Sequence, residues 1–381
     1  MNLRNEVLSF VKNQVNDYRN INCSLLIDSY IRKKTNKSYL DNDKIKECLA
    51  SIKPRLKTLD NVNGIPLLGY SLSVSNDILD NVTYTKLKEL TKIESIKRVK
   101  LNLTRKISLK NEELMSGNSG LIDYLAHNYF DESINLILLE LERIYHLIGY
   151  NNSSAIICPK WSTKDFFNLD DIRDFPDGHI RFGLAHGSSS LLIFLAKCLK
   201  KDIGNNKINK DKMRVVIDHL VNEIIYTNNI TSWPAKKDII VHDKYKSNVY
   251  IMSWCYGVAG ICYSISLAGE ALNEKWLKDF SEKILIKNIE NIDYDYLFDS
   301  FSICHGYLGL YLVMRRLGLS CEKLHYKLIE HANKFINGFG NEENHWNILN
   351  GYTSSILGMC SLFLENEPDD VLNKMIFLSD W

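Results

Sequence analysis

The sequence has no apolar run that approaches the ~20 residues a helix needs to span a bilayer. Its first residues, MNLRNEVLSFVKNQ, also have no apolar signal region. We therefore expect a cytoplasmic protein, whose only contact with a membrane would be through a partner.

An excess of charge of one sign is also missing. The chain has 47 basic and 46 acidic side chains in 381 residues, spread along its length, for a formal net charge of +1. Proteins that bind nucleic acid usually carry a basic surface. The composition therefore predicts no nucleic-acid partner, and recognition of any partner has to come from local features.

The nine cysteines are odd in number and include no Cys-x-x-Cys pair. Secreted disulfide frameworks usually have an even number in a short chain, and common structural zinc sites have the close pair. The cysteine pattern therefore predicts free thiols in a reducing compartment.

What the sequence does have is an internal repeat. Segments of the form Gly-x-x-Gly, or Gly-x-x-Ser, are followed by apolar runs such as LLIFLAKCL and ICYSISLAGEAL. A recurring unit of this kind predicts stacked helical repeats with variable loops. The leading glycines are Gly117, Gly187, Gly257, Gly306 and Gly351.

Amphipathic segments alternate with these apolar runs. A helix that is apolar on most sides belongs inside, whereas a helix with a charged face belongs outside. The alternation predicts an all-α fold in which inner helices are wrapped by outer ones, with 1–381 as a single domain. The predicted outer helices are 132–149, 212–228, 274–292 and 322–337.

Three segments fall outside this alternation. Residues 83–110 are rich in Thr, Ile and Lys, and they predict a small insertion with short β-strands. The loops 151–183 and 229–252 are long and contain many aromatic and charged residues. Because a rigid scaffold often carries its function on loops, these two are candidate walls of a substrate groove.

Two cysteines hold the same position in two repeats, because Cys255 and Cys304 each lie two residues before the leading glycine. With His305 they would form a Cys₂His site, which leaves zinc one open position for water or substrate. The alternative is that both cysteines are small buried core residues and His305 is a hydrogen-bonded core histidine. The matching positions favour the metal site.

Two further polar residues directly precede a leading glycine. His186 is either another metal ligand or an acid/base group beside the metal, since an unperturbed histidine titrates near pH ~6.5. Tyr256 could donate a proton, although ordinary packing is the usual role of a tyrosine.

The motifs GLAHG, WCYGVAG and CHGYLG, in this order and spacing, resemble the C-type cyclases of lanthipeptide (lantibiotic) biosynthesis, the nisin cyclase family. The resemblance is good over residues 113–365 and poor in the N-terminal part. It implies an α/α toroid of about seven inner and seven outer helices, with a zinc ion at one end.

The resemblance also implies roles for individual residues. Cys255, Cys304 and His305 correspond to the zinc ligands of such enzymes, while His186 and Tyr256 correspond to groups beside the metal that act in proton transfer.

Two further positions differ from the family's pattern. Glu113 stands where the family has an aspartate, so that the carboxylate has one extra methylene. Ile251 stands where family members usually have an arginine, which puts the usual support of developing negative charge in doubt.

The implied reaction is ring closure. A cysteine thiol of a precursor peptide adds to dehydroalanine or dehydrobutyrine and gives lanthionine or methyllanthionine. The implied partners are a dehydrated precursor that keeps its leader peptide, a dehydratase and a membrane transporter.

Three alternatives stay open from the sequence. One is another thiol-activating zinc enzyme on an α/α barrel, such as a prenyltransferase subunit, although this does not explain WCYG followed by CHG. The second is a relative of the cyclases that adds glutathione. The third is a non-catalytic scaffold for a precursor and a dehydratase, with Ile251 marking lost catalysis.

Overall fold

The computed structural model describes residues 3–14, 21–40, 43, 50, 65–73, 79–149, 169–240, 244–247, 251–293, 297–298, 301–337, 356–360, 362 and 370–381. The chain falls into two compact units, the first of which comprises Met1–Arg98, Asp299–Leu312 and Cys321–Ser379. The second comprises Val99–Phe298, Val313–Ser320 and Asp380–Trp381. A single domain over 1–381 stays a prediction.

Helices dominate the described part of the chain. In chain order they are α1 (Leu3–Gln14), α2 (Ile21–Thr35), α3 (Ile65–Ser73), α4 (Asn81–Leu103), α5 (Leu109–Glu112), α6 (Asn118–Asn128), α7 (Phe130–Leu147), α8 (Leu169–Asp174), α9 (Ser188–Lys200), α10 (Asn206–Asn222), α11 (Val258–Leu272), α12 (Lys275–Asn291), α13 (Tyr307–Arg316), α14 (Glu322–Asn337) and α15 (Asp370–Met375). Of these helices, none combines the length and the apolarity that crossing a membrane requires.

The second unit has the predicted alternation of inner and outer helices. Helices α6, α9 and α11 follow the glycines of the repeat, and they pack against the next helix along the chain, α7, α10 and α12 respectively. Helix α9 also contacts both α6 and α11. Every residue of α11 from Val258 to Gly269 is buried, whereas α12 buries one face and exposes Trp276 on the other. The apolar helices are therefore the inner ones, as predicted.

The first unit has helices from both ends of the chain. Helix α1 contacts α2 and α14, and the ring centroids of Phe10 and Phe335 lie 5.9 Å apart in an edge-on arrangement. Helix α3 contacts α2 and α15. At the start of α13, the Tyr307 ring lies 4.5 Å from the His331 ring of α14. The repeat that begins at Gly351 lies mostly outside the described residues, although 356–359 are helical.

The prediction of strands in 83–110 was wrong, because most of this segment is helix α4, which ends at Leu103. Its buried side chains are Thr91, Ser95, Val99 and Asn102, at helical spacings of three or four residues. The β-branched residues favoured a strand, but intrinsic propensity is a weak prior that a packed helical face overrides.

Short strands occur elsewhere in the second unit, at β1 (His179–Ile180), β2 (Ile225–Thr227), β3 (Ile230–Ser232), β4 (Lys236–Asp238) and β5 (Tyr245–Lys246). Strands β1, β4 and β5 form one antiparallel sheet, and β2 and β3 form a hairpin. Asn228 and Asn229 form its turn with φ angles of 50° and 65°, a conformation that asparagine tolerates well.

These strands lie in or near the loops predicted as groove walls. That role stays a prediction, and parts of both loops, 151–168, 241–243 and 248–250, lie outside the described residues.

A buried ion pair joins two inner helices. Lys197 of α9 donates to Asp123 of α6 at 2.6 Å, and both side chains are fully buried. The Trp381 indole N–H donates to the same carboxylate oxygen at 2.6 Å, and His127 lies 3.4 Å from the other. Burial alone would raise the pKa of Asp123, but the charges of Lys197 and His127 outweigh it and hold the pKa at about 2.

We expect Asp123→Asn to lower the free energy of unfolding by about 3–5 kcal/mol at pH 7, because it leaves the Lys197 ammonium buried without a counter-charge. Since the folded pKa of Asp123 is lowered, its contribution is full above the ordinary carboxyl pKa and is lost as pH falls through about 2. Urea unfolding at several pH values measures this.

The control for this substitution is Lys200→Met, because Lys200 makes partly exposed ion pairs with Glu270 and Asp380. Such pairs contribute about 0–1 kcal/mol. A loss for Asp123→Asn no larger than the loss for Lys200→Met would contradict the prediction.

Candidate metal centre

The turns before the inner helices have a common backbone geometry. The N–H of Ser188 donates to the carbonyl of Arg181 at 3.0 Å, and the N–H of Val258 donates to the carbonyl of Ile251 at 2.7 Å. Each bond reaches back seven residues, and each helix begins directly after a leading glycine. The structure therefore places the residues just before Gly187 and Gly257 in equivalent positions.

Two of these turns pack backbone against backbone. The N–H of Ala185 donates to the carbonyl of Cys255 at 3.0 Å. A Cβ atom on Gly183 would lie 2.4 Å from that carbonyl oxygen and 2.6 Å from the Cα of Tyr256. Only glycine permits this approach, which brings His186 close to the WCYG turn.

Glu113 anchors the turn before α6 and reaches His186. Its buried carboxylate accepts hydrogen bonds from the backbone N–H of Met115, from the N–H of Ser116 at 2.8 Å and from the Ser116 hydroxyl at 2.6 Å. The Nδ1 atom of His186 lies 3.3 Å from the same oxygen that Ser116 uses. The carboxylate can therefore hold the imidazole in one orientation and one tautomer.

Tyr256 lies beside His186, with their ring centroids 5.8 Å apart. The Tyr256 N–H donates to the Ser253 hydroxyl at 3.3 Å, and the Cys255 sulfur lies 3.8 Å from the same hydroxyl. Ser253 was missed in the sequence, although it lies four residues before its leading glycine, as Glu113 does. Comparison of the repeats position by position would have found it.

The second cysteine of the predicted ligand set is adjacent to a histidine. The Cys304 sulfur is 3.6 Å from Nε2 of His305. Ligand atoms from Cys255, Cys304 and His305 all lie within 4.8 Å of one another. The predicted ligands are therefore close enough together to form a metal site.

The donor set fits zinc. Zinc takes thiolate and imidazole ligands at about 2.3 and 2.0–2.1 Å in a tetrahedron, which puts neighbouring S and N ligands about 3.6 Å apart. The separation of 3.6 Å between Cys304 and His305 matches that edge. Three protein ligands leave the fourth position open, which is typical of catalytic and not structural zinc.

The four other described cysteines are free thiols that lie outside this cluster. Burial raises the pKa of the Cys198 and Cys262 thiols, so that both stay protonated. Cys48 and Cys158 lie outside the described residues, and Cys23 lies in helix α2.

The position of Ile251 has a counterpart one repeat earlier. Arg181 lies six residues before Gly187, as Ile251 lies six before Gly257, and the carbonyls of both accept the equivalent helix N–H. The buried Arg181 guanidinium donates to Asp171 at 3.0 Å and to Nε2 of His179 at 2.8 Å. Burial and the charge of Arg181 hold the pKa of His179 at about 3, so that it accepts this bond as a neutral ring.

Comparison with known proteins places this arrangement in a family. The family model described as lanthionine synthetase C-like protein matches residues 23–363. The chain belongs to this family.

Two individual proteins are similar to it. The nisin biosynthesis protein NisC of Lactococcus lactis subsp. lactis is 25% identical over 204 residues, which cover 52% of this chain. The match spans about half the length of that relative, 47%. A solved structure of nisin cyclase superposes with a TM-score of 0.77 and 19% identity, over 99% of this chain and 96% of the other. This likeness confirms the predicted fold class, an α/α toroid.

We expect Gly183→Ala to disrupt the contact between the two turns, because the added methyl group would overlap the backbone of Cys255 and Tyr256. Overpacking of this kind costs about 1–3 kcal/mol in stability. Thermal unfolding measures the loss.

The control is Gly318→Ala. Gly318 has a positive φ of 73° but no atom within 4 Å of the added Cβ, so it measures backbone strain without overlap. A Gly183→Ala variant as stable as wild type would show that the turns are not packed as described.

Proposed function

We propose that the protein is a zinc-dependent lanthipeptide cyclase that adds peptide cysteine thiols to dehydroalanine or dehydrobutyrine. The observation that carries this proposal is the cluster of Cys255, Cys304 and His305 within 4.8 Å, in a chain of the lanthionine synthetase C-like family. The products are lanthionine and methyllanthionine rings.

Zinc bound by these three residues would lower the pKa of a substrate thiol, which is about 8.5 for free cysteine, and would present the sulfur as a thiolate at neutral pH. The two protein thiolates offset the charge of the metal, so that the substrate sulfur stays nucleophilic. The open fourth position is where that sulfur would bind.

His186 and Tyr256 supply and accept protons in this proposal. The C–S bond forms as the carbon–carbon double bond of the dehydro residue breaks, and a proton then has to reach the α-carbon. Glu113 holds Nδ1 of His186, which makes Nε2 the atom that exchanges a proton with the substrate. The Tyr256 hydroxyl is the second candidate donor, because its ring lies beside the imidazole.

The proposed partners follow from this reaction. The substrate is a dehydrated lanthipeptide precursor that keeps its leader peptide, and the loops 151–183 and 229–252 are its proposed contact. A dehydratase has to act first, because it makes the double bonds. We propose a cytoplasmic complex with that enzyme and with a membrane transporter.

The function is tested by incubating the protein with a dehydrated precursor and counting the remaining free thiols by alkylation and mass spectrometry. Each ring formed removes one alkylation site, so the count should fall with time. Bound zinc with an unchanged thiol count would favour a scaffold. If glutathione is supplied and adds to the dehydro residues without ring closure, the glutathione-adding alternative is favoured.

We expect Cys304→Ala to lose most of its zinc while its helical circular dichroism stays near wild type, because one of three protein ligands is removed. Cys262→Ala is the matched control, since this buried thiol lies on inner helix α11 and outside the ligand cluster. Metal analysis of both purified variants gives the answer. Full zinc retention by Cys304→Ala would show that Cys304 is not a zinc ligand.

We expect His186→Asn to bind zinc normally but to close rings roughly 10²–10⁴-fold more slowly, the usual contribution of a general acid or base. Tyr256→Phe should keep its zinc and slow the reaction as well. Zinc content and ring formation are measured on the same samples. Loss of zinc from His186→Asn would make the histidine a ligand, and undiminished cyclisation by both variants would remove them from the mechanism.

A further inference from the structure

Two successive carboxylates at the end of α5 face different partners. Glu113 reaches His186, as described above. Glu112, which is also fully buried, accepts hydrogen bonds from Arg143 of α7, at 3.1 Å from Nε and 2.5 Å from the terminal nitrogen. Arg143 therefore ties the chain segment that carries Glu113 to an outer helix.

Arg143 also fixes the preceding connection. Its guanidinium donates to the backbone carbonyl of Leu103 at 2.9 Å and to that of Arg105 at 3.1 Å. These carbonyls lie at the end of α4 and just after it. One side chain of α7 thus holds the segments before and within α5.

A buried carboxyl group of α7 holds the other side of the Glu113 turn. Glu140 accepts from the Ser119 hydroxyl at 3.0 Å and from the Asn118 amide at 3.2 Å. Both residues lie in the first turn of α6, directly after Gly117. Val258 and Ala259, at the same positions two repeats later, have no polar side chain for such bonds.

Glu112 and Glu140 also lie close enough together for the carboxyl group of each to shift the pKa of the other. Burial raises the pKa of Glu140 well above its usual range, and the charge of Glu112 raises it further. Burial also raises the pKa of Glu112, although Arg143 opposes this. Two buried carboxyl groups beside one guanidinium have one negative charge in excess unless a proton remains.

The other titratable groups around this pair are few among the described residues. Arg143 comes from α7 itself, Glu113 is next in sequence to Glu112, and the buried Cys198 thiol of α9 feels the charge of Glu140. Burial keeps Cys198 protonated, and Arg143 is already bonded to Glu112. A proton on Glu140 is therefore what removes the excess charge.

We propose that Glu140, as an undissociated carboxylic acid, is a positioning residue that sets Glu113 and through it His186. Glu140 donates to Glu112 and accepts from the start of α6, so that it closes the turn from both sides. The inference rests on the proposed function in so far as His186 acts there as acid or base. The effect of Glu140 on the orientation of His186 can be observed without any substrate.

The first experiment reads the tautomer of His186 from the ¹⁵N shifts of its ring nitrogens in the full-length protein. Wild type should have the proton on Nδ1, facing Glu113. Glu140→Leu should shift the proton toward Nε2, while Glu142→Gln, an exposed residue of the same helix, should not. An unchanged tautomer in a folded Glu140→Leu protein would overturn the proposal.

Kinetics on the same variants separate positioning from substrate binding. Glu140→Leu should lower kcat roughly 10- to 100-fold with KM unchanged, because misplacement of a catalytic group slows the chemical step. If wild type forms no rings, the proposed function fails while the tautomer measurement still decides this inference. If Glu140→Leu does not fold, Ser119→Ala removes one hydrogen bond to Glu140 and should shift the tautomer in the same direction. No shift there would count against the proposal.

Glu140→Gln tests the protonation state. The amide can donate to Glu112 and accept from Ser119, as the acid does, so the ring-closing rate of this variant should stay within about twofold of wild type.

The folded wild-type chain keeps a proton on Glu140 that the unfolded chain loses above the ordinary carboxyl pKa. This part of the wild-type stability therefore falls as pH rises through the raised pKa. The melting temperature of Glu140→Gln relative to wild type should therefore increase from pH 5 to 8. A relative decrease would show that an ionised Glu140 is required and would overturn the proposal.

Discussion

The close approach of backbone to backbone at the glycine turns is the constraint on which the candidate site depends. Gly183 lies against the carbonyl of Cys255, and Gly260 would place a Cβ only 1.9 Å from the carbonyl of Trp254. A side chain at Gly183 would push two turns apart, and one at Gly260 would push α11 away from its own preceding turn. Because the turns touch, the residues that precede each inner helix come within a few ångströms of one another, which is the distance that metal binding and proton transfer need.

Buried polar groups hold this arrangement of the turns, and their burial costs free energy of folding. Carboxyl groups below the surface bond to backbone N–H groups, to hydroxyls and to cations, as Glu113, Asp123 and Glu140 show. Each such group is expensive to bury and stabilises only one geometry, so these networks favour one arrangement of the turns over similar ones. The turns before α9 and α11 differ at equivalent positions, since Arg181 is fixed in an ion pair with Asp171 whereas Ile251 has only an apolar side chain.

The repeat made much of this predictable from the sequence. Equivalent positions in the repeat related Cys255 to Cys304, and the alternation of apolar and amphipathic segments predicted which helices lie inside. The approach of Glu113 to His186 was not predicted, because the resemblance marked Glu113 only as standing where the family has an aspartate. The role of Glu140 could not be predicted from the sequence, because its partners Asn118 and Ser119 lie on another helix. No local pattern marks a buried glutamate. The prediction for the segment that forms helix α4 failed for a different reason. Its many β-branched residues favoured strands and concealed a helical spacing of the buried positions.

The central claim is that two cysteines and one histidine hold a zinc ion whose fourth position takes the substrate sulfur. X-ray absorption at the zinc edge tests it most directly, on the purified protein with and without a dehydrated precursor peptide that has a free cysteine. The account predicts two sulfur neighbours at about 2.3 Å in the protein alone and a third when the peptide is added. A sulfur count that stays at two with saturating peptide, or that is below two from the start, would contradict it.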